Sequence, residues 1–314
     1  MSEKIKVIFM GTPEFSVPYL KSLIDSDIFE IAAVITQPDK PKGRKQIIEP
    51  SPVKVLAQKN DIEILQPEKL KKNQEVIDRL KATSPDLLVV VAYGQIIPKS
   101  ILEIAKLGNV NVHPSLLPKY RGASPIQNAI LNNEAKTGLT ILLIDEEMDH
   151  GPILDKKKII LDGTETNESL HQKLSGKFGT EFFIDTLKKF INQEIKPQEQ
   201  NHSQATYCQL IEKDEARINW QEPAKNISAK IRAFFPWPVA WTMLGGQRVK
   251  IFPPIEITAK PAKPGKIFLE NKKLAVGCQN GSLIIDQLQI EGKNKVNTKD
   301  FIIGNKDITS KFFE

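Results

Sequence analysis

Short apolar runs alternate with amphipathic segments through the first 190 residues. Runs of strand length lie at residues 4–10, 30–36, 86–92, 139–144 and 153–161, and a further short strand leads into residue 111. Segments with a helical period lie between or after them, at residues 12–26, 53–59, 73–82, 123–131 and 166–190. This alternation predicts an α/β fold with an open, doubly wound, mostly parallel Rossmann-like sheet. The nearly continuous run at 86–92 predicts a central strand covered on both faces.

The pattern changes beyond residue 210. A predicted helix at 223–234 precedes short strands separated by Gly and Pro, at residues 239–244, 248–253, 265–270, 273–277 and 282–288. Five such strands predict a second, smaller C-terminal β-barrel, OB-like in type. The polar stretch 192–209 is predicted to be a linker, so the expected domains are residues 1–191 and 210–314.

Charge separates the two predicted domains. Residues 1–207 carry 27 Lys and Arg against 27 Asp and Glu, whereas residues 208–314 carry 17 against 11. The whole net charge of +6 therefore lies in the C-terminal third. A basic lobe beside a neutral one favours a polyanionic partner, and lysine kept for solubility is the alternative.

Membrane, secretion and metal signals are weak in this sequence. No apolar run approaches the ~20 residues that span a bilayer, and the N-terminus lacks the pattern of a signal peptide. Cys208 and Cys278 lack metal-ligand spacing, which predicts buried or free thiols in a reducing compartment. We therefore expect a cytoplasmic protein with no membrane partner and no metal.

Two polar side chains at the end of the strand before Pro114 carry the candidate chemistry. Asn111 and His113 are two residues apart, so they share one face of a strand. Histidine moves protons near neutral pH, and an asparagine amide can hydrogen-bond a developing oxyanion. Asp149, after the strand at 139–144, is expected at the same sheet edge. Such a cluster suits acyl transfer to an amine, and a strand-capping histidine beside an acidic turn is the alternative.

Other catalytic arrangements fit this sequence less well. Ser115 lies two residues from His113, but no G-x-S-x-G elbow surrounds it, which disfavours a serine hydrolase. The turn at Gly11 has only one glycine of the dinucleotide-binding fingerprint, so NAD is not expected.

A basic loop at residues 36–46 is the second distinctive stretch. Two prolines and a glycine predict irregular structure, and its cations outnumber its single acid, Asp39. The loop follows a strand that ends at the expected catalytic edge, where its cations would bind a phosphate backbone next to the site. A solvated loop without a partner is the alternative.

Eight motifs then resemble one known family, the folate-dependent formyltransferases, and in particular those members that formylate the methionine of initiator tRNA. The motifs run from the first predicted strand into the second lobe: MGTPEF, TQPDKPKGRK, PSPVKVLA, VVVAYGQIIP, NVHPSLLPKYRGASPIQ, MDHG, EARINW and IRAFFPWP. The similarity fades after about residue 245.

This resemblance implies transfer of a formyl group from 10-formyltetrahydrofolate, as co-substrate, to the α-amino group of initiator methionyl-tRNA. The residues that it implies fall into three groups: catalytic Asn111, His113 and Asp149; folate contacts at Pro114, Ser115, Leu116 and Leu117; and tRNA contacts at Lys40, Lys42, Arg44 and Lys45. The barrel would bind tRNA, and a monomer is expected.

Two alternatives stay open at this point. A folate-dependent formyltransferase could act on a small amine, such as a nucleotide or an amino sugar, but such a substrate needs neither the basic loop nor the basic lobe. A non-enzymatic RNA-binding protein would account for the barrel but would not explain the pair Asn111 and His113.

Overall fold

The computed structural model describes residues 3–42 and 46–314. Contacts divide the chain into two compact units. The first comprises Met1–Gly122, Gly138–Lys158 and His171–Tyr207, and the second comprises Ala123–Thr137, Ile159–Leu170 and Cys208–Glu314. The domain boundaries expected at residues 191 and 209 stay predictions.

The described strands and helices follow the chain in this order. The strands are β1 (Ile5–Gly11), β2 (Phe29–Ile35), β3 (Lys40–Lys42), β4 (Ile47–Glu49), β5 (Ile64–Leu65), β6 (Leu87–Val91), β7 (Gly108–His113), β8 (Arg121–Gly122), β9 (Lys136–Leu143), β10 (Ile153–Ile160), β11 (Tyr207–Cys208), β12 (Trp241–Leu244), β13 (Gln247–Thr258), β14 (Ile267–Glu270), β15 (Lys273–Gly277), β16 (Ser282–Ile290) and β17 (Val296–Asn297). The helices are α1 (Val17–Ile24), α2 (Pro52–Lys59), α3 (Gln74–Ala82), α4 (Lys99–Leu102), α5 (Pro125–Leu131), α6 (Asn167–Ser175), α7 (Lys177–Ile191), α8 (Ala224–Ala233) and α9 (Thr298–Gly304).

A seven-stranded sheet organises the first unit. Its strand order is β10-β9-β7-β6-β1-β2-β5. The strands from β7 to β5 pair in parallel, and β7 pairs with β9 in antiparallel fashion. All five residues of β6 are buried, as expected for a parallel strand covered on both faces. The predicted Rossmann-like fold class is confirmed.

Helices cover both faces of this sheet. Ile8 and Met10 of β1 join a buried apolar cluster with side chains of α3 and α4. Val7 and Phe9 are also fully buried, and because side chains alternate along a strand they face the opposite side. On α1, Tyr19 packs edge-on against Phe183 of α7, with ring centroids 5.4 Å apart. The strand ends between these layers position the polar side chains described below.

The second unit contains a curled antiparallel sheet around its own apolar core. The strand order is β12-β13-β16-β15-β14, with β17 paired to β16. The last residues pair with both edge strands, since the Ile267 N–H of β14 donates to Lys311 and Glu314 exchanges backbone hydrogen bonds with Met243 of β12. Phe313 is buried and stacks on Trp220, 5.7 Å between centroids. This segment joins the two edges of the sheet, as a barrel requires.

Two helix predictions were wrong in detail. The helix predicted at 12–26 begins only at Val17, because the Thr12 hydroxyl donates to the Tyr93 carbonyl and a short 3-10 helix at Glu14–Ser16 precedes α1. The single helix predicted at 166–190 is two helices, α6 and α7, because Gly176 between them adopts an extended conformation. A hydrophobic period continues through such a break, so periodicity alone did not detect it.

Three other segments also differ from the sequence predictions. The loop at 36–46 contains strand β3, which forms a hairpin with β4 rather than irregular structure. The predicted linker contains a 3-10 helix at His202–Gln204 and strand β11, which pairs with β8. Elements β17 and α9 were not predicted.

The prediction of buried, free thiols is confirmed, and that of a reducing compartment stays a prediction. Cys208 and Cys278 are buried, and neither forms a disulfide. Burial raises the pKa of the Cys278 thiol to about 12, so this group is neutral and unreactive at physiological pH.

Candidate active site

The carboxyl end of β7 carries the first two candidate residues. Asn111 lies opposite Val90 of β6 in the sheet register, and His113 lies opposite Thr140 of β9. Their side chains project from the same face because they are two residues apart. His113 is buried, and Asn111 is half-buried.

Asp149 completes a cluster with these two side chains. Its Oδ1 accepts a hydrogen bond from Asn111 Nδ2 at 3.2 Å and lies 3.5 Å from His113 Nδ1. The carboxylate side chain is only 12% exposed, so its charge acts on the imidazole with little screening. The structure therefore brings the three predicted catalytic residues together, and their chemical roles stay a proposal.

The chain brings Asp149 to the cluster in a different way from the one that we expected from the sequence. We expected it at a shared edge of parallel strands, but β9 is antiparallel to β7, and its last residue, Leu143, pairs with Val110. The loop of residues 144–152 must therefore fold back toward His113. Asp149 has φ 51°, a left-handed conformation that the short polar side chain of Asp tolerates better than most.

Backbone groups at residues 120–122 fix the orientation of both side chains. His113 Nε2 lies 2.8 Å from the Tyr120 carbonyl oxygen, and the Gly122 N–H donates to Asp149 Oδ2 at 2.8 Å. A carbonyl only accepts hydrogen bonds, so Nε2 carries a hydrogen whatever the charge of the ring. The proton that His113 gains or loses is therefore the one on Nδ1, which faces Asp149.

Four side chains next to the cluster were not identified from the sequence. Buried Arg121 donates to Gln200, to His202 Nδ1 at 2.8 Å and to the Tyr207 hydroxyl at 3.4 Å. Gln200 in turn donates to the backbone of Asp149. Three of them lie in the stretch predicted to be a linker, where no periodic pattern marks them. Only the polar, lysine-poor composition of residues 200–207 sets that stretch apart.

The four residues expected to contact folate differ in how deeply they are buried. Pro114 and Leu116 are half-buried, whereas Ser115 and Leu117 are fully buried. The Ser115 hydroxyl donates to the Lys119 carbonyl at 2.6 Å, and Leu117 packs in an apolar cluster with neighbouring strands. The side chains of Ser115 and Leu117 thus support the loop, and folate contact by this segment stays a prediction.

Two exposed apolar side chains lie in the loops that follow β6 and β9. Ile96 follows β6 and is 82% exposed, and Met148 precedes Asp149 and is 61% exposed. An ion pair of 2.8 Å joins Lys99, the first residue of α4, to Glu146 in the loop after β9. Exposed apolar surface of this kind beside polar groups is typical of a ligand site.

The basic loop is only partly described. Lys40 is exposed, and its ammonium donates to Gln37 Oε1 at 2.6 Å. Arg44 and Lys45 lie outside the described residues, and so does the side chain of Lys42. At the base of the hairpin, Asp39 accepts from Lys54 at 2.6 Å and from Gln66 at 2.7 Å. These hydrogen bonds, Lys54 foremost, lower the pKa of Asp39.

Neither a metal cluster nor a membrane span occurs in the described part of the chain. Within residues 3–42 and 46–314, no three His, Cys, Asp or Glu side chains converge as metal ligands would. Over the same ranges, no helix combines the length and apolar character needed to cross a bilayer. The expectation of a metal-free site stays a prediction.

Comparison with known families decides what kind of protein carries this cluster. The family model described as formyl transferase matches residues 3–187, and that of the formyl transferase C-terminal domain matches residues 210–306. The chain belongs to the formyl transferase family. The resemblance predicted from the eight motifs is thereby confirmed.

Curated formyl transferases resemble this chain over nearly its whole length. Methionyl-tRNA formyltransferase of Methylococcus capsulatus is 44% identical over 95% of this chain and 96% of its own. The enzyme of the same name from Geobacter sulfurreducens is 39% identical over 96% and 94%. This full-length coverage includes both units.

Two solved structures share the fold. WlaRD, a sugar 3N-formyl transferase solved in the presence of dTDP and 5-N-formyl-THF, is 23% identical with a TM-score of 0.66, over 93% of this chain and 100% of its own. HypX from Aquifex aeolicus, in complex with tetrahydrofolic acid, is 16% identical with a TM-score of 0.62, over 96% and 47%.

Proposed function

We propose that this enzyme transfers the formyl group of 10-formyltetrahydrofolate to the α-amino group of methionine on initiator methionyl-tRNA. One observation carries the proposal. The Asn111, His113 and Asp149 cluster lies within a chain that matches methionyl-tRNA formyltransferases from end to end.

Reaction begins with a neutral amine. The α-ammonium group of an amino acid titrates near pH ~8, so the base has only a modest task at physiological pH. His113 Nδ1 is the position that can take this proton, because Nε2 is committed to the Tyr120 carbonyl. Asp149, 3.5 Å away, stabilises the imidazolium that results.

The amine then attacks the formyl carbon. A C–N bond forms, the carbonyl oxygen becomes an oxyanion, and Asn111 stabilises that charge as a neutral donor. Asparagine carries two amide N–H groups, and Asp149 accepts from one of them, so the second can serve the oxyanion. The bond to the folate nitrogen breaks as that nitrogen takes a proton. His113 can relay it in two steps, because its imidazolium first gives the proton taken from the α-ammonium to the folate nitrogen, and the neutral ring then takes the proton of the attacking amine and releases it to solvent.

The chemistry of the site fits a folate as formyl donor. Asn111, His113 and Asp149 supply a neutral donor, a base and a carboxylate for the reacting end. Ile96 and Met148 supply exposed apolar surface that suits a flat ring. The folate contacts expected at residues 114–117 are part of this proposal.

Transfer RNA is the acceptor that best accounts for the charge distribution. The net positive charge lies wholly in residues 208–314, and residues 36–46 add Lys40, Lys42, Arg44 and Lys45 near the catalytic edge. Neutralising phosphates is what such cations do well. Formylation of a small amine is the second candidate, because the solved sugar N-formyl transferases share this fold. A cytoplasmic location and a monomeric state stay predictions.

A formylation assay with variants tests the proposal. Wild-type enzyme with 10-formyltetrahydrofolate and methionyl-initiator tRNA should give formyl-methionine, measured after deacylation. His113→Ala and Asp149→Ala should each lower kcat by about 10²–10⁴-fold while the circular dichroism spectrum stays unchanged, because they remove a proton carrier and its partner. A folded and fully active Asp149→Ala variant would refute the mechanism.

A further inference from the structure

Among the described residues, the loop that carries Asp149 pairs with strands only at its ends, where the Ile144 N–H donates to Asn109 and the Leu143 N–H donates to Pro152. Residues 144–152 connect β9 to β10, and Asp149 itself is in a left-handed conformation. The chain also passes close to β9 here, since a Cβ on Gly151 would meet the Leu143 carbonyl oxygen at 2.1 Å. Contacts outside the sheet must therefore hold the middle of this loop, and one of them joins His150 Nδ1 to Asp145 Oδ2 at 2.6 Å.

Gln200 forms hydrogen bonds that hold the loop. Its Nε2 donates to the carbonyl oxygens of Asp149 and Gly151, each at 2.8 Å, so the two contacts bracket His150. Its Oε1 accepts from Arg121 Nε at 3.3 Å and Nη2 at 2.8 Å. The carbonyls only accept and the guanidinium only donates, so the amide has one possible orientation. Gln200 is buried, and both ends of its side chain are therefore committed.

Arg121 connects Gln200 to the backbone groups that orient His113 and Asp149. It lies between Tyr120, whose carbonyl oxygen is 2.8 Å from His113 Nε2, and Gly122, whose N–H donates to Asp149 Oδ2. Gly122 adopts φ 111° without strain, but Tyr120 has φ 61°, which is unfavourable for a bulky residue and needs external support. Thr206 supplies it, because its hydroxyl accepts from the Tyr120 N–H and its carbonyl from the Arg121 N–H, both at 2.8 Å.

We propose that Arg121 and Gln200 are positioning residues that hold the Asp149 loop against residues 120–122, so that His113 and Asp149 meet in the geometry that formyl transfer requires. This inference rests on the proposed function. It makes residues 200–207, which the sequence predicts to be a linker, a structural part of the catalytic centre.

Gln200→Glu isolates the contact to the loop. A carboxylate at this position still accepts from Arg121 but has no hydrogen to donate to Asp149 and Gly151. We expect kcat for formylation of methionyl-initiator tRNA to fall about 10²-fold, the effect of a misplacement near 1 Å, with KM for both substrates unchanged. Gln198→Glu is the matched control, because Gln198 is exposed two residues earlier, and it should behave as wild type.

The outcomes separate this inference from the function on which it rests. Wild-type enzyme without formylation activity refutes the function. Active wild type with an equally active, folded Gln200→Glu variant, or a loss confined to KM, refutes the positioning role. His202→Ala keeps the test decisive if Gln200→Glu does not fold. His202 is exposed, and its replacement removes one hydrogen-bond acceptor of Arg121. It should lower kcat several-fold with KM unchanged, and wild-type kcat would overturn the proposal.

Discussion

At the scale of single residues, Asp149 meets Asn111 and His113 although it lies more than 30 residues further along the chain. Asn111 and His113 stand out because polar side chains at a strand end have a recognisable spacing, and Asp149 because it follows another strand. Arg121 and Gln200 act through hydrogen bonds to groups far away in the chain, for example Gln200 Nε2 to the Asp149 carbonyl. Such hydrogen bonds leave no local pattern, so only the structure reveals them.

Asn111 is predicted to act through its amide N–H groups. Asn111→Asp keeps the shape but places a second carboxylate beside Asp149 and removes the donor for the oxyanion. We expect kcat to fall by at least about 10²-fold. Asn111→Ala, which removes the donor without adding a charge, should lose a similar factor, whereas an active Asn111→Ala variant would show that the oxyanion is stabilised elsewhere. Steady-state kinetics with methionyl-tRNA measure both.

At the scale of elements, most strands and helices could be predicted because each carries its own hydrophobic period. The fully apolar β6 and the strand at β15 match the expected spans closely. The failures have physical causes. β17 has two residues and no period to detect, and the hairpin β3–β4 contains proline at an edge, where proline is tolerated. Strand direction is decided by tertiary pairing, so the hydrophobic pattern could not predict that β9 is antiparallel to β7.

The junction between α6 and α7 gives a prediction about stability. A Cβ on Gly179 would lie 1.8 Å from the Leu174 carbonyl oxygen and 2.5 Å from the Tyr19 hydroxyl, which itself donates to that carbonyl. Gly179→Ala should therefore lower the free energy of unfolding by about 1–3 kcal/mol, the usual cost of overpacking. Gly304→Ala is the control, since no atom lies within 4 Å of its Cβ. Chemical denaturation compares them, and equal stability of the two variants would contradict the close approach.

Helix α6 also predicts a dependence of stability on pH. Burial lowers the pKa of His171, whose ring packs edge-on against Phe15 at 4.9 Å. As the pH falls through about 6.5, the unfolded chain binds a proton that the folded chain binds less readily, so this residue destabilises the fold in acid. His171→Phe should therefore lose less stability than wild type between about pH 7.5 and pH 5.5 in chemical denaturation. If wild type and His171→Phe lose the same stability over this pH range, the pKa of His171 is not lowered by folding.

At the scale of the whole molecule, the charge distribution favours a polyanionic partner. The excess of cations is concentrated in one sequence region and one loop, and that distribution agrees with a chain related to methionyl-tRNA formyltransferases throughout its length. The limits of the compact units were harder to predict. Residues 123–137 and 159–170 pack in the second unit although they interrupt the first in sequence, and periodicity carries no such information.

The basic loop should matter for tRNA and not for folate. Replacing Lys42 and Arg44 by Ala should raise KM for methionyl-tRNA. It should also reduce the slope of log KM against log salt concentration by about 1 for each phosphate that the variant no longer neutralises. KM for 10-formyltetrahydrofolate should stay constant. The control replaces Lys59 and Lys81, two exposed cations on α2 and α3. Equal effects on both substrates would instead assign the loop a structural role.

The acceptor preference of the wild-type enzyme tests the central claim most directly. Values of kcat/KM would be measured with 10-formyltetrahydrofolate and, in turn, initiator methionyl-tRNA, free methionine, glycinamide ribonucleotide and an amino-sugar nucleotide. We predict that initiator methionyl-tRNA exceeds every small amine by orders of magnitude and that high salt abolishes this advantage. A small amine that is formylated as efficiently as the tRNA at low salt would contradict the account.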